Sequence, residues 1–150
     1  MMQETVFLSL LLLPVACAAQ QGEPKLPPRL IAAEMPYYPP VAEAAHVTGW
    51  LEARVTVERG KVVQTELVRA EARDNHSHVW KGGSEWLDTP TLTYLKTWRF
   101  DSDVNTSFAV KFTYNIVGPE TEEPTAPVIE VLPSLDVNVT ARPIRPTVNY

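Results

Sequence analysis

Cysteine is almost missing from this chain: Cys17 is the one example in 150 residues, and it lies within the N-terminal apolar segment. A disulfide framework is therefore excluded as a source of stability. A basic run is missing too. Lys and Arg number 13 against 18 Asp and Glu, which leaves a net charge of −5 and a sequence pI of about 5.2. That balance excludes broad binding to nucleic acid or to an anionic membrane surface, since both need a cationic footprint. The longest apolar run falls short of the ~20 residues that a bilayer-spanning helix requires. G-x-S-x-G, a catalytic cysteine and a metalloprotease helix are all lacking, so the sequence reads as a non-enzyme. There are no internal repeats.

What is present begins with an apolar stretch from Val6 to Ala19 that contains the small-x-small pattern Ala16-Cys17-Ala18. It reads as an export signal over residues 1–19. The alternative is a lipoprotein in which Cys17 is acylated, so that a membrane is reached only through that lipid or through a partner. A mature domain free of cysteine suits a bacterial periplasm. Asn75, Asn105 and Asn138 each begin an N-x-[ST] triplet, a pattern common by chance. Residues 20–35 are polar and punctuated by proline, the composition of a linker.

The stretch MPYYPPVAEAAHVTG opens the domain. Pro39 and Pro40 suit the first turn of a short helix over VAEAAH, which Gly49 is expected to end. Leu51, Ala53, Val55 and Val57 then alternate with polar residues, the period of a half-buried strand. ERGK supplies a turn and VVQTELV returns, giving a β-hairpin. RDNHSHVWKGGSE reads as a loop. Leu87, Thr91, Leu92, Leu95 and Trp98 form one helical stripe, and Pro90 places the regular helix over residues 88–98, with Ser84 or Asp88 as cap. A further strand alternates through Phe108, Val110, Phe112, Tyr114 and Ile116. The expectation is an α+β fold: a three-stranded antiparallel sheet covered on one face by two helices, over residues 36–117. Residues 118–150 form an acidic, Pro-rich tail in which VIEVL and LDVNVTA keep strand-like composition and supply an added edge strand.

In order and spacing, Tyr38-Pro39, the Ala-containing segment, Gly49, Val55 and Val57, Gly60-Lys61-Val62 and Trp98-Arg99-Phe100 resemble the C-terminal domain of the TonB energy transducers. The resemblance covers the middle half of the chain. It implies a periplasmic module of cell-envelope transport that binds peptide segments of outer-membrane transporters by edge-strand pairing. The last strand of the sheet, with Phe108, Val110, Phe112 and Tyr114, is then the partner-binding edge. Full transducers also carry a motor-coupled N-terminal helix and a long Pro-rich span. This chain has neither, so the resemblance does not extend to force transduction by the chain alone. The alternative function is an accessory envelope protein that uses the fold for dimerisation or wall association.

Two other groups stand out. Trp80 and Trp86 flank Gly82-Gly83 in a polar loop and are candidates for partner contact. His76 and His78, with Asp74 nearby and His46 as a candidate neighbour in space, raise the question of a metal. No third ligand sits at diagnostic spacing, and the reading is no metal and no cofactor. Trp98 and Phe100 read as core: one ends the helical stripe and the other fixes the turn into the next strand. The chain's own tail is a rival occupant of the edge, in a closed module or a swapped dimer.

Overall fold

A computed structural model describes residues 27–145 apart from 102 and 104. The expected export signal, Cys17, residues 20–26 of the linker and residues 146–150 of the tail lie outside the described residues. Two helices and eight strands follow in the order β1 (Leu30–Ala32), α1 (Pro40–Ala44), β2 (Thr48–Glu58), β3 (Lys61–Arg73), β4 (Val79–Lys81), α2 (Glu85–Leu95), β5 (Arg99–Phe100), β6 (Thr106–Ile116), β7 (Val128–Val131) and β8 (Asp136–Ala141).

The strands form one mixed sheet in the order β1-β5-β3-β2-β6-β8-β7, with β4 attached to β3, curled into a half-barrel. The expected three-stranded antiparallel sheet under two helices is thereby corrected. Helix α1 has 5 residues and α2 has 11, too little to cover the apolar face of β2 and β6. The sheet instead grows sideways and curls, and its core is shared between strand residues and Ala42 of α1 with Leu87 and Leu95 of α2. The prolines of the tail flank its strands rather than interrupt them: β7 lies between Pro127 and Pro133, and β8 between Pro133 and Pro143. Flanking prolines take no hydrogen bond from a ladder, so the alternating run of β8 remains free to pair.

The β2–β3 hairpin turns through Arg59 and Gly60, both at positive φ (50° and 76°). That backbone matches the twist of a two-residue hairpin turn, and glycine adopts it without steric cost. The pairing steps from Glu52–Arg69 to Ala53–Leu67 and again from Thr56–Gln64 to Val57–Val62. Val68 and Val63 are therefore extra residues in β3, and each such bulge adds local twist. Gly49 does not end α1, which stops at Ala44. It opens β2, where an added Cβ would stand 2.2 Å from the Glu71 carbonyl oxygen. Its role is close approach of two strands.

Core packing runs along the concave face. Trp98, Phe112 and Tyr114 are fully buried, and Tyr38 and Phe100 nearly so. Their rings form a connected series, Tyr38 edge-on to Tyr114 at 5.4 Å, Phe112 to Trp98 at 5.8 Å and Phe100 edge-on to Phe108 at 5.2 Å. Tyr38 donates its hydroxyl to the Val47 carbonyl at 2.6 Å, so the Tyr-Pro opening is anchored to the start of β2. Helix α2 starts one turn earlier than its stripe predicts. Ser84 is the N-cap and accepts from the Trp86 amide, which leaves Pro90 in the second turn.

Candidate functional site

The strand expected to be the binding edge is an interior strand. β6 pairs with β2 from Thr106 to Tyr114 on one side, and on the other with β8 in parallel from Lys111 to Ile116. Phe112 lies opposite Val137 and Tyr114 opposite Val139. Val110, Phe112 and Tyr114 are fully buried, and Phe108 is partly buried against the core. None of the four presents its side chain to a partner. Along most of β6, the chain's own β8 takes the neighbouring position. The tail segment LDVNVTA, expected as a rival occupant of this edge, is the one that takes it; its parallel direction leaves no local trace in sequence.

Residues 106–110 of β6 have no strand on the side away from β2 among the described residues, and the other free edges lie elsewhere. β7 and β1 end the sheet, but they have 4 and 3 residues, and β7 is bounded by prolines. Short strands and prolines are the usual protection against edge-to-edge pairing. β3 differs. On the side away from β2 it pairs with β5 only at Lys61 and with β4 only from Glu71 to Arg73. Between those two stubs, residues 62–70 have no strand neighbour among the described residues. The side chains confirm the opening. Leu67, which points inward, is only partly buried, whereas Leu51, Val55 and Val57 on β2 have no exposure. The bulge residues Val63 and Val68 are 53% and 40% exposed. The backbone groups that point away from β2 in this bay are therefore available to an added strand between the two bulges, while the Ala70 carbonyl at its end already accepts from the Gly82 amide at 2.9 Å.

Trp80 and Trp86 come together at the other end of β3. Trp80 belongs to β4, where it pairs with Ala72, and its ring stacks on His78 at 4.7 Å. Trp86 is in the first turn of α2 and 40% exposed. Three shallow hollows of about 260, 400 and 420 Å³ meet at Trp86. The smallest lies between the two tryptophans.

The histidines do not converge on a metal site. Asp74 Oδ1 accepts the amides of His76 and His78 at 2.9 and 3.0 Å, which folds the loop on itself. His78 stacks on Trp80, and His46 Nδ1 faces Asn75 Nδ2 at 3.3 Å. No three His, Cys, Asp or Glu residues come close enough to hold a metal ion among the described residues. Two acids are perturbed: burial pushes the Asp88 carboxyl up to about 6 against the opposing hydrogen bond from the Ser84 backbone, and burial raises Glu43. Asp88 is in the first turn of α2 with its carboxyl buried against Gly83, where it bears on stability.

Trp50 was not singled out in the sequence. It lies on the convex face of β2 with Arg69 and Lys111 over its ring at 6.0 and 5.4 Å. Its position after Gly49 in an alternating strand is the signal that would have found it.

No described helix is long and apolar enough to cross a membrane. Comparison of the chain with protein-family models, with curated proteins and with solved structures gives no match.

Proposed function

We propose that this chain is an exported protein-binding module of the bacterial cell envelope that takes an extended segment of its partner as an added strand. The observation that carries the reading is the open side of β3 between Lys61 and Glu71. An incoming strand pairs its backbone with residues 62–70, and the exposed valines at the two bulges offer apolar contact at either end. The same bulges bar indiscriminate sheet extension, because a regular strand fits only between them. The resemblance to TonB C-terminal domains suggests an outer-membrane transporter as the partner. The binding edge differs from the one that resemblance implies, since β8 lies along residues 111–116 of β6.

A second reading is an accessory envelope protein that dimerises through this edge. An antiparallel pair of β3 strands can set Val63 of one copy opposite Val68 of the other, covering both exposed valines.

The two exposed valines make the test clean. Lysine at an edge blocks strand addition without disturbing a core. Purified outer-membrane transporters should be retained by the wild-type chain and lost by the double variant Val63→Lys, Val68→Lys. An Ala109→Lys change on the solvent face of β6 should leave retention intact. Equal retention by all three proteins, or by none, would sink the transporter reading. Loss of a wild-type dimer in the valine variant would favour the second.

A further inference from the structure

We infer that the hollow between α1 and α2 is a second binding site, which takes a proline-rich segment carrying an arginine or lysine. The hollow measures about 420 Å³ and is walled by Tyr37, Pro39, Val41, Trp86, Thr89 and Pro90. Its ridges are apolar and outward: Tyr37 is 52% exposed, Val41 58% and Trp86 40%. Tyr37 packs edge-on against Tyr94 at 5.6 Å, and Trp86 is carried by the first turn of α2. Two aromatic ridges with proline between them form the kind of groove into which a polyproline II helix lays its rings.

The polar groups select the same ligand. The Trp86 indole N–H and the Thr89 hydroxyl have no hydrogen-bond partner among the described residues. A proline segment presents carbonyl acceptors and no backbone N–H, which suits donors set in an apolar wall. The charge at the rim is complementary to a cation: Glu85 lines the hollow and no Lys or Arg does.

This site does not duplicate the β3 edge. A strand added to β3 must donate backbone N–H groups, and a proline-rich segment has none to donate. The two surfaces therefore take different ligands, and either can fail alone.

The probe is a peptide of eight prolines with an arginine at each end, titrated into the full isotopically labelled chain. The Trp86 indole resonance should shift in a saturable manner. Trp86→Ala, at an exposed position, should weaken binding about tenfold or more, the loss expected of an aromatic anchor. Thr89→Arg, which fills the hollow and adds a cation, should weaken it as much and serves if Trp86→Ala fails to fold. The Val63→Lys, Val68→Lys variant should bind as the wild type does. An unmoved indole, unweakened binding by the folded variants, or equal binding of a Gly/Ser peptide with the same two arginines would overturn the inference.

Discussion

Thr91 donates its hydroxyl hydrogen to the Leu87 carbonyl at 2.6 Å, so the hydroxyl of Tyr114, also 2.6 Å away, must donate to Thr91. The direction of that chain makes its two ends unequal. In Thr91→Val, the buried Tyr114 hydroxyl keeps its hydrogen and loses its acceptor, a cost of about 1–3 kcal/mol. In Tyr114→Phe nothing is left unpaired, because Thr91 still donates to Leu87, and the loss should be nearer ~1 kcal/mol. Urea denaturation of the two variants should rank them in that order. Asp88 gives a second prediction at the same scale. Its carboxyl is raised from 3.8 to about 6 by burial, so the folded state holds a proton that the unfolded state has released between those values. Stability contributed by this group is therefore greatest at the acid side and is lost as pH rises through about 6. Glu43, raised in the same direction, adds to the slope. Asp88→Asn should flatten the pH dependence over this window and stabilise the protein at pH 7 by on the order of 2 kcal/mol. An unchanged slope in chemical denaturation across pH 4–7 would contradict it.

The elements show where sequence reading succeeds and where it stops. β2 alternates from Leu51 to Glu58 and β6 along its 11 residues, and the two-residue turn at Arg59-Gly60 fixes β3 beside β2. These signals are local, so they were legible. β1, β4 and β5 have 3, 3 and 2 residues, shorter than any period can reveal; β4 and β5 form because β3 offers them an edge, and β1 in turn pairs with β5. The bay on β3 was hidden for a related reason. It is defined by what does not pair there, and no residue type encodes that. In the tail, VIEVL and LDVNVTA carry the strand-like composition, and β7 and β8 form there between the prolines. β8 inserts between β6 and β7 with Val137 and Val139 fully buried, while Val128 on β7 is 64% exposed. Val139→Ala should cost about 1–3 kcal/mol and Val128→Ala less than ~0.5 kcal/mol. Equal small effects in thermal melts would mean that β8 is not part of the folded core.

At the scale of the whole molecule, the decisive feature is that one core joins segments from both ends of the described chain. Tyr38, before α1, and Ala141, at the end of β8, belong to the same buried cluster, and the ring series through Trp98 and Phe112 lies between them. β8 contributes Val137 and Val139 to that cluster directly opposite Phe112 and Tyr114 on β6. Peeling β8 away therefore opens two aromatic side chains to water and removes one wall of the cavity that holds them. An intermediate with the tail released and the rest intact would carry that exposed surface, at about 25 cal/mol per Å² of apolar area, with no compensating gain beyond the entropy of a short strand. Unfolding should accordingly be a single cooperative step despite the Pro-rich tail. Far-UV circular dichroism and tryptophan fluorescence should give coincident urea midpoints. Val139→Ala should move both midpoints together and leave the denaturant slope unchanged, because the surface exposed on unfolding is the same. If the variant instead shows an early transition in backbone signal while the buried Trp98 emission persists, the tail is a separable arm, and the edge of β6 is available to a partner after all.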